Sequence, residues 1–87
     1  MFHFFKKLFK AKPYTFLGKG GISYVSGGDK FYIDTNNFVK GPYSVEIFYE
    51  DIKKLNSTEE LSKSEKKELA IIVKNVLALD GISADIR

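Results

Sequence analysis

Few side chains in this sequence can make or break bonds. There is no cysteine and a single histidine, His3. That excludes a disulfide framework, a zinc ribbon, a thiol nucleophile and a histidine-cluster metal site. A Ser-His-Asp arrangement would have to run through the N-terminus. Ser62 and Ser64 have no base near them in sequence, and helix capping already explains Ser62. Glu46 and Glu50 share one face of a strand pattern, four residues apart. At about 3.3 Å per residue their α-carbons would stand roughly 13 Å apart, wider than the carboxylate pairs of glycoside hydrolysis. No oxygen-rich D-x-D-x-D-G loop for a metal is present. Gly18-Lys19-Gly20-Gly21 invites comparison with a phosphate-binding loop, but its lysine is out of the required position and neither Ser/Thr nor a helix pattern follows. The expectation is a binding module rather than an enzyme, with no metal and no cofactor.

The 87 residues allow one compact domain, 44% of them apolar and 29% charged, ordinary values for a globular chain. The formal net charge of +3 is unevenly placed. Residues 1–12 hold Lys6, Lys7, Lys10 and Lys12 and no acid, while residues 13–87 hold ten bases and eleven acids. A nucleic-acid binder carries its basic patch on the fold, so direct nucleic-acid binding is not expected. Within residues 46–60 five acids (Glu46, Glu50, Asp51, Glu59, Glu60) face two lysines (Lys53, Lys54). Such an excess suits a basic partner, because complementary charge speeds encounter and fixes orientation.

Residues 1–13 read as a separate amphipathic basic segment, and residues 14–87 as the domain. At about 100° per residue, Phe4, Leu8, Phe5, Phe9 and Phe2 fall on one arc and Lys6, Lys10, His3 and Lys7 on the other. This cationic pattern is of the kind that lies in a membrane interface, and it is too short to span a bilayer. Lysines interrupt its apolar run, so it is not a secretory signal. Packing onto the domain, docking to a partner or membrane, and remaining frayed are all open to it. For the docking reading, Phe2, Phe5, Lys6, Phe9 and Lys10 are the contact residues, with membrane contact through residues 1–12.

From Tyr14 the period changes. Tyr14–Leu17, Ile22–Ser26 and Lys30–Asp34 read as strands, the last two joined by Gly27-Gly28-Asp29 as a hairpin. Thr35-Asn36-Asn37 reads as a polar break, and Lys40-Gly41-Pro42 as a turn. Residues 43–50 read as a strand with Tyr43, Val45, Ile47 and Tyr49 inward and Ser44, Glu46, Phe48 and Glu50 outward. Asp51–Leu61 reads as a polar connection anchored by Ile52 and Leu55. Ser62-x-x-Glu65 fits a capping box, which opens a helix from about Lys63 to Leu79. Its apolar stripe is Leu69, Ile72, Val73, Val76, Leu77 and Leu79, a core-facing pattern. Gly81 is a helix-stop residue, and Ile82–Ile86 alternates as a final strand. The fold class is therefore α+β: a small, mainly antiparallel sheet of 4–5 strands against one long C-terminal helix, with a final short strand.

Taken together, Gly21-Ile22-Ser23-Tyr24 with its following Gly-Gly, Phe31-Tyr32-Ile33-Asp34, Gly41-Pro42-Tyr43, Val45 to Ile52, Leu61 to Glu65 and Asp80 to Ile86 resemble the small immunity proteins of bacterial polymorphic-toxin systems, in particular the immunity protein 74 group. The resemblance covers residues from about 20 to 87. It implies a cytoplasmic, antitoxin-like protein that binds and neutralises one cognate toxin domain, a nuclease by expectation, through surface complementarity and without a cofactor. Glu46, Phe48, Glu50 and Asp51 are the residues expected at the centre of the contact, on their charge and exposure rather than on any family motif. The alternative is a small membrane-surface protein acting through residues 1–12.

Overall fold

The structure is a computed structural model that describes residues 12–87. Among the described residues six strands and one helix follow in the order β1 (Tyr14–Phe16), β2 (Gly20–Ser26), β3 (Asp29–Asn37), β4 (Ser44–Ile47), β5 (Lys53–Lys54), α1 (Lys63–Leu79) and β6 (Ser83–Ile86). A single 3-10 turn, Tyr49–Asp51, separates β4 from β5. The sheet order is β1-β2-β3-β4-β6, with β5 pairing the N-terminal half of β3. Every pairing is antiparallel except β4 with β6, which is parallel. A parallel neighbour requires a crossover, and α1 supplies it. This is the expected α+β architecture. Among the described residues no helix is long and apolar enough to cross a membrane.

Alternation along the strands buries one face. Ile22, Tyr24, Phe31, Ile33, Val45, Ile47 and Ala84 point to α1, which answers with Ala70, Val73 and Leu77. Ile52 and Ile82 close the ends of this core. Each fully buried aliphatic side chain among them contributes about 1.5–3 kcal/mol. Helix α1 begins with both halves of the capping box in place: Glu65 N–H donates to Ser62 Oγ at 3.1 Å, and Ser62 N–H to Glu65 Oε1 at 3.0 Å. The bond from the Ser62 backbone and the Ser62 hydroxyl contact hold the Glu65 carboxyl below its ordinary range.

Several local expectations are corrected. The β2–β3 link has two residues, because Asp29 already pairs with Ser26. Gly27 and Gly28 both take positive φ, 57° and 84°, the requirement of the tight turn that follows strand twist. Thr35-Asn36-Asn37 is the end of β3 and not a break. Thr35 and Asn37 are buried and saturate each other: Thr35 Oγ1 accepts from Gly21 N–H at 3.0 Å and donates to Asn37 Oδ1 at 2.7 Å. Asn37 Nδ2 donates to the carbonyls of Gly18 (2.9 Å) and Gly21 (3.1 Å). The fourth strand stops at Ile47, so Tyr43 and Tyr49 are not in its inward row. Leu55, expected as an anchor, is exposed, as are Ile72 and Leu79 at the margin of the helix stripe.

Candidate functional site

The four residues expected to meet a partner fall into two places. Glu46 lies on β4, on the sheet face away from α1, in one row with Asn36 of β3 and Asp85 of β6. Its Oε2 is held by Arg87, with Nη2 at 2.7 Å and Nε at 3.0 Å. Glu46 is therefore half neutralised within the fold. Phe48 is half-buried, just past β4, where its N–H donates to the Asp34 carbonyl at 2.8 Å. It is the extended residue leading into the 3-10 turn, and not one member of an outward strand row.

Glu50 and Asp51 are exposed on that turn. The turn exists because the chain must leave β4 and bring Ile52 back under the helix; Asp51 N–H donates to the Phe48 carbonyl at 3.2 Å and Ile52 N–H to the Tyr49 carbonyl at 3.3 Å. Helix α1 braces it from outside. Lys66 Nζ donates to the Glu50 carbonyl at 2.8 Å, and the Lys67 ammonium sits 5.5 Å from the Tyr49 ring centroid, within cation–π range. Opposite the turn, the loop before α1 brings Glu59 and Glu60 to the same open cleft, about 360 Å³ in volume, which Glu50 and Asp51 also line. Of the cleft's lysines, Lys54 pairs with Asp29 at 3.6 Å, while Lys66 donates to the Glu50 carbonyl and keeps its charge. Lys53 also lines it. The structure thus brings together four of the five acids in residues 46–60 and sets Glu46 apart.

Burial holds the Tyr32 hydroxyl above its ordinary range, and the charges of Asp34 and Asp51 push it the same way. Tyr32 packs its ring over Gly21, where an added Cβ would come within 2.9 Å of the ring. Gly21 is glycine because of this close approach and its φ of 89°.

A second exposed feature was not singled out from sequence. Leu17, Phe38, Val39 and Tyr43 are all exposed, Tyr43 to 66%. They belong to two adjoining loops, tied by Asn37 N–H to the Lys19 carbonyl (2.8 Å) and by the Phe16–Phe38 rings, 5.0 Å apart. Phe38 takes φ of 62°, a strained position for a bulky side chain. The only signal in the sequence was an aromatic directly after the buried Asn37.

The remaining polar pair is structural. The Tyr14 hydroxyl donates to Asp80 at the C-terminus of α1, and Lys12 Nζ lies 3.3 Å from the same carboxylate. Burial, then the Asp80 contact, raises the Tyr14 hydroxyl to about 12, while the Tyr14 hydrogen bond and Lys12 hold Asp80 low. Among the described residues no three His, Cys, Asp or Glu side chains are grouped to hold a metal ion. Phe2, Phe5, Lys6, Phe9 and Lys10 lie outside the described residues.

No family model, no curated protein and no solved structure matches this chain.

Proposed function

We propose that this chain is an immunity protein of a bacterial toxin system, which binds a cognate toxin domain in the cytoplasm and blocks it by covering its working surface. The resemblance of residues 20–87 to the immunity protein 74 group supports the reading. The observation that carries it is the convergence of Glu50, Asp51, Glu59 and Glu60 from two separate segments on one open cleft. A nuclease toxin presents a basic surface to its substrate, and an acidic cleft on a braced scaffold meets that surface without needing a catalytic group. Of the four residues expected at the centre, Glu50 and Asp51 carry the contact, with Phe48 beside them and Glu46 held back by Arg87.

The test is Glu50→Lys/Asp51→Lys, measured against the toxin domain encoded by the neighbouring gene. Association should slow about tenfold or more, and its salt dependence should fall, because rim charges act on encounter. Glu46→Lys should do less. Unchanged association and unchanged salt dependence in the double variant would remove the cleft from the binding surface. Failure of the wild-type chain to protect against the toxin would remove the function.

A further inference from the structure

One end of the sheet presents apolar side chains to solvent on two short loops. Residues 17–19, after β1, adjoin residues 38–43, between β3 and β4. Asn37 ties them together, its N–H donating to the Lys19 carbonyl at 2.8 Å and its Nδ2 to the Gly18 carbonyl at 2.9 Å. The Phe16 and Phe38 rings stand 5.0 Å apart at the same junction. These nine residues hold four of the nine large apolar side chains exposed among the described residues. Leu17, Phe38, Val39 and Tyr43 each keep 42% or more of their surface open. The longer loop is closed on Ser44 from both sides: Phe38 N–H donates to the Ser44 carbonyl and Lys40 N–H to Ser44 Oγ, each at 2.6 Å. Phe38 is held there at φ 62°. Strain that the surroundings maintain collects at functional positions, and gathered exposed apolar residues mark a place that meets another surface.

The same two loops carry Lys19 and Lys40 and no acid. Both lysines are exposed, and neither is in an ion pair among the described residues. The rest of residues 13–87 holds eight bases and eleven acids, so the loops are a cationic end on an otherwise acidic body. Behind them a cleft of about 150 Å³ joins Val39 and Lys40 to Glu46, Asp85 and Arg87. Glu46 is paired with Arg87, which leaves Asp85 against the two lysines. Strand β4 keeps the ends of this charge distribution apart. Tyr43 precedes its first residue, and the acidic turn Tyr49–Asp51 follows its last.

The side chains decide what such an end fits. Leu17 and Val39 are aliphatic and offer no ring for a base to stack on, whereas acyl chains accept aliphatic and aromatic groups alike. Tyrosine is favoured where one end of a side chain is apolar and the other wet. Lysine lays its methylene stem along an apolar layer and keeps its ammonium in the polar one. An anionic leaflet attracts such cationic residues and repels the acidic remainder of the chain, which orients the molecule. We propose that the two loops are a lipid-contact site, with Leu17, Phe38, Val39 and Tyr43 in the interface of an anionic bilayer and Lys19 and Lys40 at its phosphates. The cleft of Glu50, Asp51, Glu59 and Glu60 then stays open beyond the far end of β4. The site is independent of the toxin-binding reading and of residues 1–12.

The chain holds no tryptophan, so Tyr43→Trp in the full chain places a single reporter at the site. Val25→Trp, exposed at the hairpin end of β2, is the control. An unchanged urea midpoint shows that each variant keeps the fold. The probe is a phosphatidylcholine–phosphatidylglycerol vesicle with brominated acyl chains. On these vesicles the Tyr43→Trp emission should shift to the blue and be quenched, and the Val25→Trp emission should do neither. Lys19→Glu/Lys40→Glu should weaken vesicle binding at least about tenfold. The proposal is overturned if the chain does not bind these vesicles, or if Tyr43→Trp stays unquenched on vesicles that the chain binds through other residues. Binding by the lysine variant equal to that of the wild type overturns it too, as does equal binding to pure phosphatidylcholine. A blue shift with an oligothymidylate and none with vesicles would assign the loops to single-stranded nucleic acid instead.

Discussion

Replacing Asn37 by alanine tests whether the polar end of β3 is structure or connection. Asn37 makes three hydrogen bonds through its side chain: to the Gly18 carbonyl at 2.9 Å, to the Gly21 carbonyl at 3.1 Å, and from the Thr35 hydroxyl at 2.7 Å. At about 1 kcal/mol net each, their loss amounts to about 3 kcal/mol. The buried Gly21 carbonyl also loses a partner that water does not readily replace. A chain of this length has a total stability of about 4–13 kcal/mol, so Asn37→Ala remains folded but is visibly weakened. Urea unfolding followed by far-ultraviolet circular dichroism should show the midpoint falling by about 1–3 M with an unchanged slope. The thermal midpoint should fall by about 12–24 °C. Thr35→Val should cost about 1–3 kcal/mol, because it strands the Gly21 N–H, and the double variant should cost less than the sum of the two. A loss within about 0.5 kcal/mol for Asn37→Ala, the range of an ordinary surface substitution, would refute the network and restore residues 35–37 to a loop.

Leu77→Ala, at a fully buried helix position, should cost about 2–5 kcal/mol in the same assay. Ser62→Ala removes half of the capping box and should cost about 1 kcal/mol. Tyr14 is raised from its ordinary value near 10 to about 12, so its stabilisation is complete below pH 10 and is lost as pH climbs through 12. A Tyr14→Phe chain should lose less stability across that alkaline window than the wild type. Asp80 is held low by the same bond, so its stabilisation is present above the ordinary aspartate range and drains away as acid titrates it; Asp80→Asn should flatten the acid limb of the stability profile.

Glycines in this chain carry information that propensity does not. Gly21 lies at the register shift near the start of β2, and its constraint comes from Tyr32, eleven residues on, whose ring occupies the space a side chain would need. Gly21→Ala should therefore destabilise more than the backbone angle alone would suggest.

What the sequence determined by itself is what neighbours along the chain decide. The bounds of α1 follow from Ser62 and Glu65, three residues apart, and from the apolar repeat that Val73 and Leu77 share. The β2–β3 hairpin follows from two alternating runs around Gly27-Gly28. The gathering of acids in residues 46–60 is also legible, as composition. The tertiary structure alone decided the rest, because each deciding contact is distant in sequence. Thr35 and Asn37 are polar and read as a break until the loop at Gly18–Gly21 supplies their partners. The fourth strand ends at Ile47 because the chain turns at Tyr49–Asp51 just beyond it. Arg87, 41 residues away, withdraws Glu46 from the acidic face, while the loop before α1 adds Glu59 and Glu60 to Glu50 and Asp51. A repeat of apolar residues can say that a helix has a buried side; only the width of the sheet beneath it determines that Ile72 and Leu79 fall beyond the margin.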